Sequence, residues 1–221
     1  MSKRDTTLKL IRLQGMLPLF YHDSEQISIA VVKAVYNGGG RLIEYTNRGS
    51  NALKNFSALR KLVDHELPGM ELGVGTIRSV KDAEAFIGIG ADYVVCPVIN
   101  KEVADVVHQH NLLWIPGCMT PTEIDAAEKA GAKLVKIFPG HILGPSYLSA
   151  IKEIFPVLLF MPTGGVEPDR ENLSAWFNSG VCAVGLGSKL ISKEILENSN
   201  YEELTTLTQK ILQSIHSIKI S

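Results

Sequence analysis

Three absences narrow the reading before any motif is considered. Cysteine is scarce: Cys96, Cys118 and Cys182 are the only three, and none stands in a CxxC or other metal-ligand spacing. An odd number without a secretion signal predicts reduced thiols in a cytoplasm. Charge of one sign is missing too, since the formal net charge is −1. No broad attraction to nucleic acid or to an anionic membrane follows, so an anionic ligand must be held by local donors. No apolar run is long enough to span a bilayer. The N-terminal "MSKRDTTLKLIRLQG" is amphipathic and lacks the apolar core and cleavage site of a signal peptide. A cytoplasmic location is therefore expected.

What the chain does have is a rhythm. Of its 221 residues 45% are hydrophobic and 20% charged, as in an ordinary soluble globular protein. Short apolar segments recur: "GMLPLFY" (15–21), "RLIEYT" (41–46), "ELGVGT" (71–76), "DYVVCP" (92–97), "NLLWIPG" (111–117), "KLVKIFP" (133–139), "VLLFMPTGG" (157–165) and "VCAVGLGS" (181–188). Most are continuous rather than alternating, as parallel strands covered on both faces require. Helical stretches lie between them. "SEQISIAVVKAVYNGG" and "TPTEIDAAEKAGA" begin at a Ser or Thr cap and stop at glycine. Pro121 and Pro168 are expected in first helical turns. Eight βα units predict one (β/α)8 barrel over 1–221, an α/β TIM barrel with an additional helix at about 2–14.

In such a barrel the chemistry gathers at the carboxyl ends of the strands. One residue there is out of character. Lys136 stands in the apolar run "KLVKIFPG", although lysine is rarely buried. Side chains alternate along a strand. If Val135, Ile137, Ile43 and Tyr45 face the helix layer, Lys136 and Glu44 both point into the barrel. Desolvation disfavours a charged amine, and a neutral lysine can form an imine with a keto substrate. Glu44 could then move protons between imine and enamine. A buried Lys–Glu pair without chemistry is the competing reading. "PTGG" and "GLGS" close the last two strands, where phosphate-binding barrels supply backbone N–H donors. Ser188 adds a hydroxyl. His108 and His110, in "HQHN", precede a strand and so should lie away from the chemistry. No metal and no cofactor is expected. His141 is expected in a loop after the lysine strand. Cys96 reads as a small wall residue, and Trp114 and Trp176 as packing residues.

Together "IEYTNR", "GVGT", "PGCMTPTE", "KIFPG" and "PTGGV" followed by "AVGLGS" resemble the KDPG/KHG aldolases over nearly the whole chain. These are class I aldolases of 2-keto-3-deoxy-6-phosphogluconate (KDPG) and 4-hydroxy-2-oxoglutarate (KHG). The resemblance implies a homotrimer, with Lys136 as the Schiff-base lysine and Glu44 as the proton-transfer group. It implies that Arg48 and Thr76 bind the pyruvyl carboxylate and that Phe138 packs over the site. Pro97 and Thr163 would shape the pocket, and Gly164, Gly165, Gly187 and Ser188 would hold a substrate phosphate. The implied reaction cleaves KDPG reversibly to pyruvate and glyceraldehyde 3-phosphate. The phosphogalactonate epimer and 4-hydroxy-2-oxoglutarate are alternative substrates, and a non-catalytic phosphosugar-binding barrel is an alternative of another class. The chain has His141 where many members carry a glutamate, Tyr21 near where some carry an arginine, and Cys96-Pro97 where Ser-Pro is common.

Overall fold

The computed structural model describes residues 2–220. Helix α1 (Lys3–Gln14) comes first, capped by the Ser2 hydroxyl and ended by Gly15 in the left-handed region. Strands and helices then alternate: β1 (Met16–Phe20), α2 (Glu25–Asn37), β2 (Leu42–Thr46), α3 (Ala52–Glu66), β3 (Glu71–Gly75), α4 (Val80–Ile89), β4 (Tyr93–Val95), α5 (Lys101–Gln109), β5 (Leu113–Ile115), β6 (Gly117–Cys118) and α6 (Pro121–Lys129). They continue with β7 (Leu134–Ile137), α7 (Gly140–Ile154), β8 (Leu159–Pro162), α8 (Arg170–Asn178), β9 (Val184–Leu186), α9 (Lys193–Glu197) and α10 (Tyr201–Lys219).

The architecture is α/β, with all strand pairs parallel. Six strands run β5-β4-β3-β2-β1-β9, and three run β6-β7-β8. Among the described residues nine strands stand where eight were expected, in two curled sheets. The extra one arises at Pro116, which has no N–H to give to a ladder and splits the fifth segment into β5 and β6. Its carbonyl still accepts from the Lys136 N–H at 2.8 Å. At the opposite edges a parallel bridge joins Thr163 to Gly185.

Two apolar clusters separate by strand parity. Ile43, Tyr45, Leu72, Val74, Val94, Trp114, Val135, Ile137, Phe160 and Val184 pack outward against the helices. Leu17, Leu42, Tyr93, Val95, Leu113, Ile115, Leu134, Met161 and Ala183 pack inward, and Ile11 of α1 joins them. Helix α1 therefore stoppers the amino end of the strands. Lys3 holds it there, 3.1 Å from Glu71 and 2.9 Å from Asp92. Arg60 adds a 2.7 Å contact to Asp92, and Gln14 accepts from the Arg41 N–H at 2.6 Å.

Two local expectations are corrected. Pro168 lies before the Asp169 cap of α8, so it precedes the helix instead of opening it. His141 lies in the first turn of α7, before the backbone leaves helical geometry at Gly144, and not in a loop. Its N–H donates to the Gly164 carbonyl at 2.9 Å, which draws that turn onto the end of β8. Pro121 does open α6, next to a complete Thr120–Glu123 capping box.

Candidate active site

The inward set ends in polar residues. On β2 the order Leu42, Glu44, Thr46 climbs from apolar to polar, and on β7 Leu134 is followed by Lys136. Lys136 is 5% exposed and Glu44 1%. Their neighbours Leu42 and Leu134 belong to the inward cluster, while Ile43, Tyr45, Val135 and Ile137 face the helices.

Glycine makes the room for this arrangement on β3. A Cβ at Gly75 would lie 1.7 Å from Glu44 Oε1, and one at Gly73 would lie 2.0 Å from the Tyr93 ring. Only hydrogen at those positions lets a carboxylate and a phenol ring turn inward side by side. The next residue, Thr76, has φ +63°, where a β-branched side chain is out of the ordinary. Such strain is commonly kept at functional ends of strands.

Electrostatics set the Glu44 carboxyl apart. Burial raises its pKa, and the charges of Lys136 and then Arg48 oppose that rise. Neither carboxylate oxygen has a hydrogen-bond partner among the described residues. Unpaired buried oxygens are costly, and a carboxyl in that state takes up a proton more readily. Thr163 Oγ1 is also buried without a partner, seated where Gly185 leaves space, a Cβ there lying 2.3 Å away. Lys136 Nζ stands 5.1 Å from the centre of the Phe138 ring. Cys96 is fully buried in the outward cluster and is not among the residues that line the cavity, so it does not form the wall expected of it; burial pushes its thiol up to about 12.

A cavity of about 150 Å³ opens above these groups. Lys136, Arg48, Phe138, Thr163, Gly164, Gly165, Gly187 and Ser188 line it. Thr76 and Pro97 follow the carboxyl ends of β3 and β4 and are not among its walls. Pro97 instead sets its carbonyl 2.4 Å from where a Gly117 Cβ would stand. Glu44 is not among the lining residues, although its carboxyl feels the charges of Lys136 and Arg48, which are. His141 is not in the lining; it packs against Gly165, where a Cβ would meet its own at 2.4 Å. Leu19 and Lys189 line the cavity without having been singled out. The parity of β1, with Leu17 inward, points to Leu19. Lys189 directly follows Ser188 in the last strand's loop.

Larger grooves of about 950 and 570 Å³ lie on the helix layer between α2 and α3 and at the amino end near α1 and α10. Size does not make either the better candidate, because neither holds an inward lysine with an unpaired carboxyl. His108 and His110 lie at the end of α5, remote from the cavity; His108 meets the Trp114 ring edge-on at 6.1 Å. Among the described residues no group of three or more His, Cys, Asp or Glu is placed to hold a metal. No helix among the described residues is long and apolar enough to cross a membrane.

An amine and a carboxyl, both buried on the inward face at the carboxyl ends of parallel strands, are groups that imine chemistry uses. Comparison with known proteins makes the class specific. Residues 8–207 match the KDPG and KHG aldolase family. The chain is 29% identical over 212 residues to a 2-dehydro-3-deoxy-phosphogluconate aldolase of Treponema pallidum, covering 95% of this chain and 98% of the relative. It is 37% identical over 120 residues to a 2-dehydro-3-deoxy-6-phosphogalactonate aldolase of Escherichia coli, covering 54% and 58%. A solved 4-hydroxy-2-oxoglutarate/2-dehydro-3-deoxyphosphogluconate aldolase superimposes with TM-score 0.78 at 31% identity, covering 93% of this chain and 98% of that one. The chain belongs to the KDPG and KHG aldolase family, and it is a carbon–carbon lyase.

Proposed function

We propose that the chain cleaves 2-keto-3-deoxy-6-phosphogluconate reversibly to pyruvate and glyceraldehyde 3-phosphate through an imine on Lys136. The observation that carries this is a buried, inward Lys136 together with a buried, inward Glu44 whose oxygens have no partner among the described residues. In the cleavage direction the neutral amine adds to the substrate ketone, and the carbinolamine loses water to give an iminium ion. A base takes the proton of the hydroxyl on the carbon two away from the imine carbon. The carbon–carbon bond then breaks, the aldehyde leaves, and the bonding pair becomes an enamine. Protonation of the enamine carbon and hydrolysis release pyruvate and the free lysine. Glu44 is assigned both proton transfers, because its raised pKa makes it able to hold and return a proton.

Arg48 and Thr76 are assigned to the carboxylate, and Phe138 covers the imine. Pro97 and Thr163 shape the wall. The N–H groups of Gly164, Gly165 and Gly187 and the Ser188 hydroxyl hold the phosphate. The phosphogalactonate epimer and 4-hydroxy-2-oxoglutarate use the same imine steps and differ only at the aldehyde end. Retention of both Lys136 and Glu44 argues against a barrel that merely binds phosphosugars. The same reading closes the two sheets into one (β/α)8 barrel, supported by the Thr163–Gly185 bridge and the Lys136–Pro116 hydrogen bond. Family resemblance supplies the homotrimer and the cytoplasmic location.

Borohydride trapping with pyruvate tests the assignment. The expected result is inactivation with one reduced adduct, mapped to Lys136. Lys136→Ala should lose both the adduct and turnover, by about 10⁴-fold or more if removal of a covalent nucleophile has its usual cost. An adduct on another lysine, or none, would remove the central claim. A panel of 2-keto-3-deoxy acids, with and without phosphate, then ranks the substrates.

A further inference from the structure

Three basic side chains line the cavity: Arg48, Lys136 and Lys189. The first is assigned to the substrate carboxylate and the second to the imine. That leaves Lys189 without a task in the reaction, at the wall shared with Gly164, Gly165, Gly187 and Ser188. Those four offer only neutral donors, whereas a phosphate monoester carries about −1.5 to −2 charges at neutral pH. With the chain near neutrality overall, no general field makes up the difference.

Lys189 already holds an anion. Its Nζ lies 2.7 Å from Glu167 Oε1. The two residues sit at matching places, Glu167 two after Gly165 beyond β8 and Lys189 one after Ser188 beyond β9. The pair therefore spans the two glycine loops. Its side chains are 51% and 41% exposed, so the pair contributes little and is easily exchanged. Glu167 is held from behind, its N–H donating to Asn172 Oδ1 at 3.1 Å, at the start of α8.

We infer that Lys189 is the charged partner of the substrate phosphate and that Glu167 is its resting counter-ion, displaced when a phosphorylated substrate enters. This deepens the aldolase reading and rests on it for the identity of the substrate. The arrangement makes Lys189 a determinant of specificity between phosphorylated and unphosphorylated keto acids. A lysine acts here as a mobile point charge, able to turn from carboxylate to phosphate without bidentate geometry.

The test uses K189M, K189R and E167Q beside wild type. Inorganic phosphate is titrated at low ionic strength and followed by phosphorus NMR, which needs no turnover. K189M should weaken phosphate by about tenfold and K189R by less, whereas E167Q should strengthen it by about threefold, since its lysine no longer has a competing carboxylate. In kinetics the ratio of kcat/KM for KDPG to that for 4-hydroxy-2-oxoglutarate should fall in K189M and rise in E167Q. A pair that only staples the loops would move both variants in the same direction, and that result overturns the inference. So does unchanged phosphate binding in K189M, or no phosphate binding by wild type. If the phosphate titrations follow the expected signs while no phosphorylated keto acid is cleaved, the aldolase reading fails and the assignment of Lys189 stands.

Discussion

The lower and upper halves of the strand interior are built by the same strands to opposite standards. Below, Leu42 and Leu134 lie in a close-packed apolar cluster with Tyr93, Met161 and Ile11. Two residues further along, about 6.6 Å at the rise of a parallel strand, the same faces present Glu44 and Lys136. Every apolar group in the lower layer has neighbours to fill its space. Buried polar atoms without partners occur in both layers, the Tyr93 hydroxyl below and Glu44 Oε1, Glu44 Oε2 and Thr163 Oγ1 above, but only those above belong to groups assigned to the reaction. The lower half lowers the free energy of the fold, and the upper half spends some of it to keep reactive groups unsatisfied. That contrast can be broken by mutation at either level.

After the loss expected of Lys136→Ala, the largest effect is expected from Glu44→Gln, which keeps the shape and removes the assigned base. Pyruvate methyl protons should exchange with solvent deuterium roughly 10²–10⁴-fold more slowly, while a borohydride-trappable adduct at Lys136 persists. Proton NMR in D2O follows the methyl signal directly. Wild-type exchange in this variant would assign proton transfer to another group, with His141 and a bound water next in line. One turn of the pleat below, Leu134→Ala should cost about 2–5 kcal/mol of unfolding free energy and leave turnover per folded molecule largely intact. Urea unfolding beside single-turnover kinetics measures both. A loss of chemistry without a loss of stability would mean that the two layers are not separable.

The smallest effect is one of pH. Burial raises the Glu44 pKa above its ordinary value of 4.5. Between that value and the raised one the folded state binds more protons than the unfolded state, so stability falls as pH rises through this window. Glu44→Gln should therefore flatten this part of the stability curve and gain on wild type toward neutral pH. Thermal melts of both proteins across pH 4–8 give the difference curve. A Glu44→Gln protein that loses ground as pH rises would show that the carboxylate is better satisfied when folded than its missing partners imply.

Much of this contrast was legible from single strands. The two-residue repeat in "LIEYT" and "LVKIF" was enough to separate an inward Glu44 and Lys136 from their outward neighbours, because pleating depends on the local chain alone. Features that depend on neighbouring strands were not. Gly73 and Gly75 entered only within "GVGT", and their purpose appears only when Tyr93 and Glu44 lie across from them. The break at Pro116 depended on which strand needed its missing N–H. His141 read as a loop residue because Pro139, Gly140 and Gly144 are turn-forming types, yet the Thr163 and Gly164 carbonyls draw 140 and 141 into a helical turn. Nothing in the sequence marks Lys189, since its ion pair with Glu167 joins two loops some twenty residues apart.

The stopper formed by α1 also bears on the order in which the protein can assemble. Ile11 closes over Leu17, Leu42, Tyr93, Leu113, Leu134 and Ala183. Those residues span most of the chain, and α1 is translated before every one of them. On the ribosome its amphipathic face must wait, unseated, until the last strand has emerged. Long-range closure of this kind slows folding and leaves apolar surface exposed meanwhile. The helix's charged outer face, with Lys3, Lys9 and Arg12, keeps the waiting segment dissolved, and the Lys3 contacts to Glu71 and Asp92 latch it once its seat exists.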